Sequence, residues 1–307
     1  MIDQLTVVVI GKNEGLNLPR CFSSIKEITD NIIFVDSDSS DDSIDIAKKH
    51  KIKKIIRAKA NFGTPALSRS IGAKHVKTDF IQFLDGDMEI EKTWVSHALD
   101  FLKKNQKVAV VHGYKKVFKK DLINYFILSD TKNWQADYLQ GAFLIRKKCY
   151  ETVGGFDYKF FGEEERDLYV RLLNSNYQVW YLHKLMSSHY DFKKKGLLFL
   201  LMNGIGGGMW LPLLKSIKNR MLKSYIFVYR YLLFPLFCEF FSIAIIFFIP
   251  SFPKIILYIL FIQSFELLYC LSIKRKGYFV IWKTAILNIY KTFQLIRRKL
   301  IYELEYH

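Results

Sequence analysis

The sequence predicts an α/β fold: a mostly parallel, Rossmann-like mixed sheet covered by helices, followed by a C-terminal α-helical, membrane-associated region. Three observations predict it. Short apolar runs of strand length alternate with polar helical stretches up to about residue 192. Acidic clusters stand directly after two of those runs. Beyond residue 193 the composition turns to long apolar segments flanked by lysine and arginine.

In chain order, the strand-like runs are residues 5–10, 31–35, 80–84, 108–111, 142–145 and 178–182. Helical patterns fill 18–28, 43–50 and 65–76. Strand and helix alternation implies a parallel sheet with helices on its faces. In such sheets ligands gather at the carboxyl ends of the strands. Residues 1–192 are thus expected to form the catalytic or binding domain. A basic and apolar linker, 193–224, opens with Lys193, Lys194 and Lys195, and its glycines (Gly204, Gly206, Gly207, Gly208) weaken any continuous spanning helix. Residues 225–273 are expected to form a transmembrane hairpin. Its apolar segments, 231–249 and 255–273, are each near the ~20 residues that cross a bilayer. Positive charge on both flanks places those flanks, and the N-terminal domain, in the cytoplasm at the inner membrane. Glu239 and Glu266 are costly inside those segments, and two buried helices of a soluble domain are the alternative. Residues 274–307 read as a basic amphipathic helix on an anionic membrane lipid surface. The C-terminal helices also offer a surface for oligomerisation.

The chain has 307 residues, half of them hydrophobic, which excludes a disordered protein, and a formal net charge of +17. That charge suits nucleic acid, an anionic membrane or a phosphorylated substrate. It lies largely beside the apolar segments, and no zinc spacing or RNA-stacking platform accompanies it, so no nucleic-acid partner is expected. Four scattered cysteines lack metal-ligand spacing and point to a reducing compartment. No signal peptide is read at Met1, and no repeat is present.

Chemistry concentrates in three places. "FVDSDSSDDS" (34–43) ends a strand on Asp36. A calcium loop fails there, because Asp41 stands where glycine is needed and Ala47 where the bidentate glutamate belongs. Part of the run reads as a helix cap, on Ser40 or Asp41. "FLDGDMEI" (83–90) sets Asp85 and Asp87 on either side of one glycine, a pair that a hard divalent cation would stabilise. "GEEERDLYVRLL" (162–173) has helical periodicity. It puts Glu165 on an apolar stripe with Phe161, Leu168, Tyr169 and Leu172. Glu163, Glu164, Asp167 and Arg171 fall mostly on the other, solvated face, with Asp167 and Arg171 four apart and able to pair. Partial burial of Glu165 would make it the better base.

Taken together, "VVVIGKNE", "FVDSDSSDDS", "LSRSIGAKHVKTDFIQFLDGDM" and "VGGFDYKFFGEEERDLYVRL" resemble, in order, the motifs of the family 2 glycosyltransferases, which have the GT-A nucleotide-sugar-binding fold. The resemblance covers residues 5 to about 190. It departs at Asp38, where the family often has glycine, at Ser70 for asparagine, and at Glu165, where the family's catalytic aspartate stands. A left-handed backbone at Asp38 is tolerable for aspartate. The resemblance implies a metal-dependent, inverting transfer of one sugar from a nucleotide-diphosphate sugar, UDP-sugar first, to a hydroxyl of a lipid-linked or membrane-proximal glycan. It implies Glu165 as general base, with Asp167 second. Glu14, Asp36, Arg69 and Asp85 would bind the nucleotide-sugar, and Gln140, Gly141, Gly154 and Gly155 would shape the sugar pocket. Asp87 and His189 would hold Mg2+ or Mn2+, His183 being the lesser histidine, and a surface position for Arg69 is the alternative to a phosphate role. The processive Gln/Arg-x-x-Arg-Trp motif is absent after Glu165, so a single addition is expected. A sugar-phosphate nucleotidyltransferase would want a Gly-rich, Arg-ending loop that "GKNEGLNLPR" (11–20) matches poorly. A non-catalytic membrane-associated nucleotide-sugar-binding protein is the remaining alternative.

Overall fold

Unbroken apolar runs such as "LTVVVIG" and "FIQFLD" have no polar face, so they must be covered on both sides, as central parallel strands are. In the computed structural model they are β1 (Leu5–Gly11) and β4 (Phe80–Asp85), paired in parallel at the middle of the sheet. The structure describes residues 1–59, 64–119, 122–126, 132–160, 162–190, 210–230 and 233. The chain divides into two compact units, Met1–Lys194 and Lys195–His307, close to the boundary expected at 192.

The first unit adds β2 (Ile32–Asp36), β3 (Lys54–Arg57), β5 (Met88–Ile90), β6 (Val108–Lys119), β7 (Leu122–Phe126), β8 (Trp134–Gln135), β9 (Phe143–Arg146) and β10 (Gln178–Tyr190). Their order is β3-β2-β1-β4-β9-β6-β10-β5, with β7 on β6 and β8 on β10. Strands β1 to β4 run parallel, β9 opposes both of its neighbours, and β10 is parallel to β6. The helices are α1 (Leu18–Lys26), α2 (Ser43–Lys49), α3 (Pro65–Lys74), α4 (Lys92–Lys104), α5 (Lys147–Thr152) and α6 (Glu164–Asn174). One core runs under the sheet through Val7, Val9, Phe22, Phe34, Trp94, Leu99 and Leu144, all essentially buried. Each such side chain contributes about 1.5–3 kcal/mol by leaving water.

All six expected strands are present. β3 and β5 lack a long apolar run and were not legible. β10 is far longer than expected, because "HKLMSSHY" pairs with β6 and β5 through its backbone although its composition is polar.

Two features position a site. After β3 the chain returns to pair β4 on the other side of β1, so β1 and β4 flank a topological switch point. The register sets Gly11 beside Asp36 and Ile10 beside Asp85, bringing both aspartates to one edge.

In the second unit, helix α7 (Trp210–Lys218) and helical residues 222–230 are described. Several of their large apolar side chains are open, Leu214 at 63% exposed, Ile217 at 55% and Ile226 at 50%, while Tyr225, Val228 and Tyr229 are buried. Among the described residues no helix is long and apolar enough to cross a membrane. Apart from Leu233, the expected apolar segments 231–249 and 255–273 and the tail 274–307 lie outside the described residues.

Candidate active site

The loops after β1 and β2 are knitted by short polar side chains. Asn13 donates its backbone N–H to Ser39 Oγ (2.8 Å), and its Oδ1 accepts from the Ser40 N–H (2.9 Å). Asp41 accepts from the Gly15 N–H (2.9 Å) and from Ser43 Oγ (2.5 Å). These bonds from Ser43 and Gly15 lower the Asp41 pKa although burial opposes them. Asp41 therefore ties the two loops together, and the N-cap of α2 is Asp42, without a side-chain cap bond. Asp38 adopts φ 60, the left-handed backbone expected of it, and binds Arg57 (3.0 Å). Above these loops Asp36 is fully buried. Its Oδ2 accepts from the Ser39 N–H (2.9 Å), and its Oδ1 is buried with no partner. Glu14 is also buried and accepts from Asn17 Nδ2 (2.9 Å).

Asp85 ends β4 and Asp87 lies two residues on. Strand β10 returns antiparallel to β5 and lays His189 opposite Met88, which places its Nε2 3.1 Å from Asp87 Oδ2. His189, and not His183, is therefore the histidine beside Asp87. The His183 backbone N–H donates to Asn133, and its ring lies against Tyr114. Asp87 Oδ1 is buried without a partner. Beneath lies Cys21, whose thiol pKa is pushed well up by burial and by the charges of Asp87, Asp85, Glu14 and Glu89. Four carboxylates felt by one thiol mark an acidic pocket in a basic chain. Among the described residues no three His, Cys, Asp or Glu side chains form a ready metal cage. One buried, unpartnered carboxylate oxygen beside an imidazole nonetheless fits a hard cation that takes its remaining oxygens from a substrate phosphate.

Arg69, on α3, is not a surface residue but is 3% exposed. Its Nη2 donates to Asp85 Oδ1 (3.0 Å), and its Nη1 donates to both Glu164 Oε1 (3.1 Å) and Glu165 Oε1 (2.9 Å). Burial alone would lower its pKa; Asp85, Glu165 and Glu164 together raise it, so the guanidinium stays charged. One cation faces three carboxylates. The Glu164 carboxyl is pushed up by burial and by Glu165, against the pull of Arg69.

This overturns the solvated face expected for α6. Glu163, Glu164, Asp167 and Arg171 are all buried, and Glu165 is the more open carboxylate, its side chain 22% exposed. Glu165 is partly buried, as expected, while the neighbouring Glu164 is the one whose carboxyl burial pushes up. Each buried charge has a partner: Glu163 with Arg166 (2.7 Å), Glu164 with Arg69, and Asp167 with Arg171. The helix opens on Gly162 (φ 84) and Glu163 (φ 63), and its acidic first turn opposes the macrodipole. Phe161 lies outside the described residues.

Asp167, the second candidate base, is engaged elsewhere. Its Oδ2 accepts from Arg171 Nε (2.9 Å) and Nη2 (2.5 Å), and Arg171 Nη1 donates to the Val153 carbonyl (2.5 Å). The pair thus braces the turn that leads into Gly154 (φ 80) and Gly155 (φ 63). A Cβ at Gly155 would stand 2.7 Å from the Tyr150 ring, so this glycine serves packing and the turn. Gly141 differs: a Cβ there would stand 3.0 Å from Arg69 Nη2 and 3.2 Å from Glu165 Oε1, which puts its backbone against the cluster. Gln140, next to it, donates through Nε2 to His112 Nδ1 (3.1 Å) and to the Gly113 carbonyl (3.0 Å). His112 is fully buried, and burial pushes its pKa down to about 4.

The fold and the site define a class: an α/β sheet with a switch point at β1 and β4, carrying an acidic pocket at the carboxyl ends of its strands. The glycosyl transferase family 2 signature matches residues 6–156, and that region belongs to the family. A second match, described as the N-terminal domain of galactosyltransferase, spans residues 123–195. An uncharacterized glycosyltransferase of Rickettsia conorii is 31% identical over 93 residues, which are 30% of this chain and 32% of that protein. A pre-mycofactocin glycosyltransferase of Mycobacterium tuberculosis is 25% identical over 195 residues, 58% of this chain and 40% of that protein. The chain thus matches between about a third and two-fifths of the length of these relatives. Residues 1–349 of S. aureus TarS, in complex with UDP-GlcNAc, share the fold with a TM-score of 0.58 at 16% identity, over 74% of this chain and 72% of that one. GalNAc-T7 with UDP, GalNAc and Mn2+ gives 0.52 at 16% identity, over 62% and 44%.

Proposed function

We propose that the protein is an inverting glycosyltransferase that moves one sugar from a UDP-sugar to a hydroxyl of a lipid-linked or membrane-proximal glycan. The observation that carries this reading is the placement of Glu165. It is a partly open carboxylate held by Arg69 Nη1, while Nη2 of the same guanidinium holds Asp85 at the strand end. Asp36, with one buried oxygen lacking a partner, and Glu14 offer acceptors for a nucleoside. Family membership and the UDP-GlcNAc and UDP complexes of proteins with the same fold support the choice of donor.

Glu165 takes the proton of the acceptor hydroxyl as that oxygen attacks the anomeric carbon. The bond from that carbon to the diphosphate oxygen breaks, and its electron pair leaves with UDP. A diphosphate entering an acidic pocket needs a cation, and Asp87 with His189 would hold Mg2+ or Mn2+. Such an ion, when bound, would neutralise charge on the leaving diphosphate. Arg69 Nη1 donates to Glu165 Oε1 and so fixes where that carboxylate points. The longer glutamate arm, in the place of the family's aspartate, reaches out from α6 without changing the proton chemistry.

The test is a screen of radiolabelled UDP-sugars against membrane extract, with and without EDTA. Transfer of label to the organic-soluble fraction with release of UDP, abolished by EDTA and restored by Mn2+ or Mg2+, is expected. Release of inorganic diphosphate would instead make the protein a nucleotidyltransferase. Absence of transfer from every nucleotide sugar would leave a non-catalytic binding protein. We assign the working place to the cytoplasmic face of a membrane. Exposed Leu214, Ile217, Leu222, Ile226 and Phe227, interleaved with Lys218, Arg220 and Lys223, support it. Co-sedimentation with phosphatidylglycerol vesicles and not with phosphatidylcholine vesicles is the expected result. Binding to neither would remove the membrane assignment.

A further inference from the structure

His189 and Asp87 lie on different strands, and little backbone joins them. β10 is anchored on β6 along most of its length, whereas β5, just after Asp87, is three residues long and stands at one end of the sheet. A ladder so short has few bonds to fix its partner. Tyr190, the last residue of β10, adds ties in several directions. Its backbone N–H donates to the Asp87 carbonyl (2.9 Å). Its hydroxyl donates to Glu89 Oε2 on β5 (2.8 Å). Its ring stacks on Phe118, its partner in the parallel register with β6, the centroids 4.8 Å and the planes 5° apart. The Arg20 guanidinium, on α1, lies 3.7 Å from the ring centroid, a cation–π contact.

These ties converge on the pair assigned to the cation. Tyr190 follows His189 directly, and its N–H sits on the carbonyl of Asp87. The backbones that carry imidazole and carboxylate are thus fixed to each other where Nε2 meets Oδ2 (3.1 Å). Successive side chains leave a strand on opposite faces, so the phenol acts on the pair through the backbone and not as a ligand. We propose that Tyr190 is a positioning residue for the cation: gripped by Arg20, Phe118 and Glu89, it straps β5 to β10 and holds His189 and Asp87 at the spacing at which both can ligate one ion. Groups that orient a metal's ligands govern its affinity without touching it. The inference rests on the reading of Asp87 and His189 as the cation's ligands. Arg20 also donates to Asn17, which in turn holds Glu14, so varying it would disturb the nucleoside side as well. Tyr190 and Phe118 are the positions to vary.

Calorimetric titration of UDP into the full-length protein, once in Mn2+ and once in EDTA, tests it. Wild type should bind UDP more tightly in Mn2+, and His189→Ala should lose that gain. Tyr190→Leu removes ring and hydroxyl; it should weaken binding in Mn2+ by about tenfold and leave binding in EDTA within about twofold. Tyr190→Phe keeps the ring on Arg20 and Phe118 and loses only the bond to Glu89, so in Mn2+ it should return to within about threefold of wild type. Phe118→Leu removes the stacking partner and leaves Tyr190 in place; a loss of about threefold, in Mn2+ alone, is expected. It decides the matter if Tyr190→Leu does not fold. A merely structural role would weaken UDP by the same factor in both media. That result, unchanged binding in Mn2+ for Tyr190→Leu (or for Phe118→Leu in its stead), or a Tyr190→Phe no better than Tyr190→Leu, overturns the inference alone. A wild type that gains nothing from Mn2+, or a His189→Ala that keeps the gain, overturns the cation reading along with it.

Discussion

The two sides of the site are held by different physics. The loops after β1 and β2 are joined by neutral and charge-assisted hydrogen bonds among Asn13, Ser39, Ser40, Asp41 and Ser43, residues at most about thirty positions apart and mostly near solvent. The α6 side is held by Arg69, which reaches residues 95 and 96 positions away from within the protein. Local polar bonds are individually modest and mutually redundant. A buried hub is neither. Loss of one partner leaves several charges without compensation. Damage to the first side should be graded, and damage to the second abrupt.

The largest break expected in that comparison is catalytic. Glu165→Gln keeps an acceptor for Arg69 but removes the proposed base, so kcat should fall by about 10²–10⁴-fold while UDP affinity changes little. Steady-state transfer and UDP titration check this pair of outcomes. Next comes Arg69→Met, which leaves Asp85, Glu164 and Glu165 facing one another. A loss of about 3–5 kcal/mol is expected from urea unfolding, together with loss of activity.

A pH effect sharpens the picture from the interior. Folding lowers the His112 pKa to about 4 from an ordinary value near 6.5. Between these values the unfolded chain binds a proton that the folded one refuses. Stability is therefore full above about pH 6.5 and declines as pH falls through about 4, by about 3 kcal/mol in all. Urea midpoints at pH 7 and pH 4, with His112→Gln as control, measure it. The variant should show a shallower fall.

The smallest effect belongs to the loop side. Asp41→Asn keeps its shape but weakens the bonds to Gly15 and Ser43, and about 1 kcal/mol is expected. A loss as large as that of Arg69→Met would erase the distinction between the two sides.

The same distinction explains what the sequence made legible. Asp36, Asp85 and Asp87 were visible because each follows an apolar run, and a strand end is a local signal. The Asp167–Arg171 pair was visible through its spacing of four. The buried face of α6 was not, because helical periodicity separates apolar from charged positions. It carries no information that an arginine on α3 will arrive opposite Glu164. Glu163, Glu164, Asp167 and Arg171 looked solvated for that reason, although they are more deeply buried than the partly buried Glu165. His112 gave no signal at all: a lone histidine in "VVHGY" acquires its meaning from Gln140, 28 residues later. The length of β10, and with it the approach of His189 to Asp87, depends on backbone pairing that side-chain composition does not report.

Arg69 also sets an order of assembly. It joins a helix, a strand end and the first turn of another helix that close only after a long stretch of chain has been brought back, and closing long loops is slow relative to local structure. The loops after β1 and β2 can form as soon as those strands have paired. Glu165 cannot be held until the far helix has docked on the arginine. A chain caught short of its final fold would thus have the loops after β1 and β2 without the carboxylate that Arg69 holds.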